Sequence, residues 1–500
     1  MGFEKELEIM RKAEAAGNAF NHAAGVLSYD AETVAPEKSV EGRGRTLAYL
    51  GGLQYELFTG RELNDALAVL NDHRSEFDDF TGREIELCVK RVGELSKIPK
   101  DVYMQMIVLQ DESSAAWRKA KVAGDWDSFE PYLTKMVEMA KVQAGYINPE
   151  METYNALLNI YEEGLDMAFL DKFFGDLREG LIPLMERIKK VPQVDRSCIE
   201  QICPAEAQRG FTKDICEIMG LDMTRLALGE VEHPFTTNFN NADVRLTTHY
   251  YEDNFTDSMY TVLHEGGHCM YELNCDDKYN YTIMQGGASM GIHESQSRFY
   301  ENVIGRSYEF TGCLLELARR HFPDQLAGVT HEDFYKAVNR TEPTFIRTQA
   351  DELTYPFHIM IRYELEKQLF DGSLAAADAP AAWDDMYEQY LGIRPANVTE
   401  GILQDMHWSG GLFGYFPTYA LGSAYGPQYL HEMLKDNPNL WDDVAAGDLS
   451  YVTGWLREHI HQYASFYPPK VLFEKVCGEF DAKYFIDYLT DKYTKVYGLE

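Results

Sequence analysis

Residues 261–274 read Thr-Val-Leu-His-Glu-Gly-Gly-His-Cys-Met-Tyr-Glu-Leu-Asn, and His264, Glu265 and His268 within them match the pattern H-E-x-x-H. On a helix, positions i and i+4 share one face about 5–6 Å apart, so both imidazoles can reach one tetrahedral ion. Glu265 projects beside them and can take a proton from an attacking water. Gly266 and Gly267 cost such a helix about 1 kcal/mol each relative to alanine. Their presence predicts that something presses on the backbone there: a substrate, a strand or another helix.

Two imidazoles need a third ligand. A consecutive metzincin pattern requires glycine at 271 and histidine at 274, where this chain has Tyr271 and Asn274. A glutamate on a second helix is the remaining route. His293-Glu294-Ser295-Gln296-Ser297-Arg298 opens a helical stretch, and Glu294 lies 26 residues after His268. That separation accommodates a helix end, a loop containing Gly286 and Gly287, and a return. Two histidines, one glutamate and an open position make a catalytic rather than a structural zinc set. Glu272 and Glu301 are alternatives for the third ligand. One Zn²⁺ per chain is the expected cofactor, with Co²⁺ or Mn²⁺ as substitutes.

Outward from the motif, helical periodicity dominates. Apolar residues recur at three- and four-residue spacing over 3–24, 39–72, 79–96, 98–123 and 126–146. In 165–190, Leu170, Phe173, Phe174, Leu177, Leu181, Leu184 and Ile188 fall on one stripe, with Pro183 inside it. Residues 230–252 break the pattern. Their threonines, tyrosines and Asn-rich centre predict a small antiparallel sheet with a turn near 238–243, followed by a long helix from about Thr256. A sheet edge just upstream of a metal helix is placed to take an extended peptide by strand addition. The expectation is a mostly α protein, one domain over 1–500, with the polar segment 189–197 a possible hinge between lobes 1–190 and 200–500.

The whole-chain charge agrees with a soluble enzyme. The 500 residues carry 46 basic and 81 acidic side chains, a formal charge of −35. Such a surface repels nucleic acid and anionic lipid. No apolar run reaches membrane-spanning length, and the first 20 residues lack the apolar stretch of a secretory signal. Eight irregularly spaced cysteines form no disulfide framework and no C-x-x-C pair. A reducing cytoplasm is the simplest expectation.

Which bond is cut depends on what holds the peptide's ends. A C-terminal exopeptidase needs a cation for the free carboxylate, and arginine serves bidentately. Arg245, in Asp-Val-Arg-Leu-Thr (243–247), and Arg347, in Ile-Arg-Thr-Gln-Ala-Asp (346–351), are candidates. From spacing alone each also reads as a structural ion pair, Arg347 with Asp351 at i, i+4.

Ordered blocks along the chain carry a family resemblance: HPF (233–235), DVRLT (243–247), HEGGH (264–268), HESQSR (293–298), IRTQAD (346–351) and GILQDMHWSGGLFGYFPTYALG (401–422). LSYDAETVAP (27–36) adds a further match near the start. Together they resemble the carboxypeptidase Taq family of metallocarboxypeptidases. The resemblance implies a two-lobed helical fold of the neurolysin and angiotensin-converting-enzyme type, with a deep groove that admits peptides. It also implies a cytoplasmic homodimer that releases single amino acids from peptide C-termini with broad specificity. Carried onto this chain, His264, His268 and Glu294 become metal ligands and Glu265 the base. Arg347 becomes the carboxylate clamp, and Arg245 closes the groove. His233, His407 and Tyr419 become wall residues or oxyanion donors, with Tyr415 as the alternative tyrosine. A dipeptidyl carboxypeptidase or oligopeptidase of the same fold would share every metal residue. A metal-bearing interaction protein would be expected to lack Glu265.

Overall fold

The structure is a computed structural model that describes residues 2–499. The N-terminal third is helical: α1 (Glu4–Thr33), α2 (Val40–Thr59), α3 (Arg61–Asp72), α4 (Asp79–Ser96), α5 (Lys100–Ala123), α6 (Trp126–Ile147), α7 (Thr153–Tyr161) and α8 (Met167–Ile188). The periodic run 39–72 is two helices, because the chain turns extended at Gly60. The stripe read in α8 is buried along its whole length, and Asp166 caps the helix by accepting from the Phe169 N–H at 2.8 Å.

After α9 (Ala205–Ile218) come three strands, β1 (Leu226–Glu230), β2 (Thr236–Asn240) and β3 (Asp243–Thr248). The order is β1-β3-β2. The β2–β3 pair is the expected antiparallel hairpin, with a bulge between Asn238 and Asn240. The sheet is mixed rather than wholly antiparallel, since β1 pairs parallel with β3. The sequence of β1, Leu-Ala-Leu-Gly-Glu, has no β-branched or aromatic residue, so its pairing partner rather than its own propensity makes it a strand. In this arrangement β2 is an edge strand.

The H-E-x-x-H helix is α10 (Phe255–Leu273), buried nearly all round. It is followed by α11 (Met290–Arg298), which continues into a π-helical turn over Phe299–Ile304. The Gly305 N–H donates to the Tyr300 carbonyl at 2.9 Å, the wider spacing that defines such a turn. Next come α12 (Tyr308–His321), α13 (His331–Val338), α14 (Tyr355–Asp371), α15 (Ala379–Leu391) and α16 (Pro417–Asp436), then further short helices to a last one at Lys483–Tyr497. One core runs from Ala120 to Tyr493, and a smaller one from Met10 to Val92 joins α1, α3 and α4.

The glycines of the motif are explained by helix packing. A methyl group on Gly267 would lie 2.5 Å from the Gln296 carbonyl oxygen, and one on Gly266 would lie 2.7 Å from Met219 Cε. So α11 rests its backbone on α10, and α9 packs on the adjacent turn. On the other side of α11, a methyl on Gly422 would lie 2.5 Å from Glu294 Cβ. Glu294 is thus held between two helices that approach at glycine.

Candidate active site

His264, His268 and Glu294 converge. One ligand atom from each lies within 4.8 Å of the others, the only such group of three among the described residues. Glu294 Oε2 is 3.8 Å from His264 Nε2 and 3.5 Å from His268 Nε2. Ligands on a tetrahedral zinc with bonds near 2.05 Å stand about 3.3 Å apart, so small adjustments would seat an ion.

The outer atoms of the triad are already engaged, which leaves the inner ones facing each other. His264 Nδ1 lies 2.8 Å from Glu301 Oε2, and His268 Nδ1 lies 2.6 Å from His293 Nδ1. Arg298 Nε donates to Glu294 Oε1 at 2.7 Å and its Nη1 donates to Glu301 Oε2 at 3.0 Å. Burial opposes charge on Glu294, yet Arg298 and the two imidazoles hold its carboxyl well below the usual carboxylate range. Burial pulls His268 down to about 3, so its ring is neutral, as a ligand must be. Burial disfavours charge on His264, yet Glu294 and Glu301 raise its pKa, and the positive charge those carboxylates favour there is one a divalent cation can supply, so the donor set fits such an ion.

Glu265 faces the same space. The Thr236 hydroxyl on β2 donates to Glu265 Oε2 at 2.7 Å, and burial raises the carboxyl above its ordinary value. Together these residues line a cavity of about 870 Å³. One wall is formed by residues 234–239, which lead into and include most of edge strand β2; others come from α1, α4, the loop 282–290 and the start of α16. Across the cavity α1 meets the sheet side: His22 stacks on Phe239 with centroids 4.7 Å apart, and Glu14 accepts from the Ile283 N–H at 2.9 Å.

The remaining candidates are distributed as follows. Tyr419 and Tyr415 both line the cavity, their rings edge to face at 5.2 Å. Tyr419 sits in the first turn of α16, whereas Tyr415 precedes that helix. His407 lies one layer behind, its Nε2 3.3 Å from the Tyr419 hydroxyl, and burial lowers its pKa to about 4. Arg347 is 7% exposed and is absent from the cavity lining. It pairs not with Asp351 but with Asp405, through Nε at 3.0 Å and Nη2 at 2.9 Å. The same carboxylate takes Arg362 at 2.6 Å, so two guanidiniums and one carboxylate leave a net positive trio. Arg347 packs 5.0 Å from the Tyr419 ring centroid and donates to the Tyr355 hydroxyl at 3.0 Å. Arg245 is held by Asp243 at 2.9 and 3.0 Å and lies between Tyr29 and Phe239, at 4.8 and 4.7 Å from their rings. His233 is exposed and outside the cavity lining.

The sequence offers Glu272 and Glu301 only as rival ligands. Both instead support the triad from outside it: Glu301 holds His264, and Glu272 holds His293 at 2.8 Å. The seven-residue step from Glu294 to Glu301 with Arg298 between them was a readable signal, but the π turn that aims Glu301 was not. The role of Thr236 had no local signal at all.

Comparison with known proteins agrees with this geometry. The model of the carboxypeptidase Taq (M32) metallopeptidase family matches residues 9–493. Carboxypeptidase 1 of Bacillus subtilis (strain 168) is 36% identical over 480 residues, covering 96% of each chain. Thermostable carboxypeptidase 1 of Pyrococcus furiosus is 36% identical over 485 residues, covering 95% of this chain and 96% of its own. The crystal structure of an M32 carboxypeptidase from Deinococcus radiodurans R1 superposes with a TM-score of 0.96 at 32% identity, covering 99% of this chain and 100% of the other. With a helical fold, a His-His-Glu cluster and these relatives, the chain belongs to the carboxypeptidase Taq (M32) family of metallopeptidases and is a metallocarboxypeptidase.

Proposed function

We propose that this enzyme removes single amino acids from peptide C-termini with broad specificity, using Zn²⁺ held by His264, His268 and Glu294. The observation that carries the reading is Glu265 beside the triad, in a cavity walled by a free strand edge. When bound, the cation supplies Lewis-acid polarisation of the scissile carbonyl and acidifies water. An extended peptide lies along β2 and pairs with its open edge. Glu265 accepts the proton of the attacking water and delivers it to the leaving amine nitrogen. The Tyr419 hydroxyl donates to the oxygen that gains charge, with His407 orienting it from behind. Arg245 closes the far end of the groove. The eight cysteines, all unpaired, and the charge of −35 support a reducing cytoplasm with peptides, not nucleic acid or membrane, as partners, and the homodimer rests on the family resemblance alone. No helix among the described residues is long and apolar enough to cross a membrane.

Peptide digestion followed by mass spectrometry tests the reading. Free-acid peptides lose one residue at a time from the C-terminus, a chelator stops the loss, and added Zn²⁺ restores it. C-terminally amidated peptides persist. Dipeptide steps or internal cuts would transfer the chain to a dipeptidyl carboxypeptidase or oligopeptidase activity.

For the carboxylate, Arg347 is the clamp: it stands with Arg362 and Asp405 behind the tyrosine wall, so Tyr419 moves aside for a peptide carboxylate to reach it. In Arg347→Ala, Asp405 keeps Arg362 as its partner, so the buried carboxylate is not orphaned. KM for free-acid peptides rises about tenfold or more, as expected for the loss of a charge-assisted contact worth about 1.5–3 kcal/mol. Metal content is unchanged. A wild-type KM would remove Arg347 from this role.

A further inference from the structure

We propose that His293 and Glu272 form a positioning relay that holds His268 in its metal-binding tautomer and ties it to the edge strand through Asn238. The relay rests on the ligand role of His268 proposed above.

The two ligand histidines are supported differently. His264 meets a carboxylate directly, the usual partner of a metal-binding imidazole. His268 meets another imidazole, His293, with ring centroids 4.6 Å apart and Nδ1 atoms 2.6 Å apart. His293 Nε2 in turn lies 2.8 Å from Glu272 Oε1. Glu272 is buried and receives two further donors, the Gly287 N–H at 3.0 Å and Asn238 Nδ2 at 2.6 Å.

One set of proton positions satisfies every contact in this geometry. Glu272 is surrounded by donors and acts as acceptor, so His293 Nε2 carries a hydrogen. In a neutral imidazole the other nitrogen then holds a lone pair. The 2.6 Å contact allows either nitrogen to be the donor, and the relay is the arrangement in which His293 Nδ1 accepts and His268 Nδ1 donates. That leaves the lone pair of His268 on Nε2, the atom that faces Glu294 Oε2 at 3.5 Å. The rings have little room to turn. A methyl on Gly287 would come within 2.7 Å of both His293 Cδ2 and Tyr271 Cε1. Asn238 belongs to β2 and lines the cavity, so the strand that walls the groove and the ligand that holds the ion share one support.

The test is Zn²⁺ titration of the full chain against a chromogenic chelator. His293→Leu removes the acceptor and lowers zinc affinity about 10–100-fold, the usual loss for an outer partner. His293→Gln, whose amide oxygen can accept from His268 Nδ1, recovers most of that loss. Asn238→Ala weakens binding in the same direction by less. Wild-type affinity in His293→Leu overturns the relay, and so does a His293→Gln variant as weak as His293→Leu, because a packing role alone would not distinguish them. Should His293→Leu fail to fold by circular dichroism, Glu272→Gln decides. It keeps the shape but turns an amide toward a donor, so reduced affinity supports the relay and wild-type affinity overturns it. Failure of the ligand assignment looks different: wild-type protein that takes up no zinc, or His268→Ala that binds it as wild type does.

Discussion

Glu265→Gln lowers kcat about 10²–10⁴-fold and leaves the zinc in place. The substitution conserves shape but removes the carboxylate beside the triad that is proposed to carry a proton from water to the leaving amine. Glu265 is not one of the three converging ligands, so the ion's donors are untouched. Thr236 donates to Oε2 and can donate equally to an amide oxygen, so the side chain keeps its place. Turnover of a free-acid tripeptide and zinc content by mass spectrometry, measured on one preparation, separate chemistry from binding. Turnover within tenfold of wild type, at equal zinc content, removes Glu265 from the base role. Loss of zinc would show instead that the carboxylate shapes the ion site.

Gly267→Ala has the opposite sign from what helix propensity suggests. Alanine is favoured over glycine in a helix interior by about 1 kcal/mol. Here the added methyl meets backbone: the Gln296 carbonyl oxygen at 2.5 Å, Ser297 Cα at 2.7 Å and the Gln296 carbonyl carbon at 2.9 Å. No rotamer relieves that contact. The α11 helix must withdraw from α10, carrying Glu294 away from His264 and His268. Overpacking of this kind costs about 1–3 kcal/mol. The melting temperature of chelated protein falls, and zinc affinity falls with it because the ligands separate. Gly175→Ala is the internal control. It lies within α8 with no atom within 4 Å of the added methyl, so the propensity gain survives and the melting temperature rises slightly. A Gly267→Ala variant as stable as the control would mean that the helix contact yields freely.

Local pattern carried the reading wherever the chemistry is local. The two histidines and the base sit within five residues, the α8 stripe within nineteen, and the hairpin within a single turn. Each depends on periods of 2 or 3.6 that a single sequence displays. Arg347 shows where this stops. Spacing suggested Asp351, but Arg347 begins a short 3₁₀ turn, where i+4 is not a neighbour on one face. Asp351 instead accepts from the Thr341 hydroxyl and from the Glu342 and Thr354 N–H groups. The true partner, Asp405, is brought in from 58 residues away.

The sequence by itself determined the kind of site: which side chains could bind an ion, which one is proposed to move a proton, and that helices present them. These follow from residue chemistry at fixed helical offsets. Only the tertiary structure decided what surrounds the site. It placed α11 against two glycine faces, made β2 an edge, and routed Glu301, His293 and Glu272 behind the ligands. Those contacts join segments far apart in the chain, where packing and not periodicity selects the neighbour.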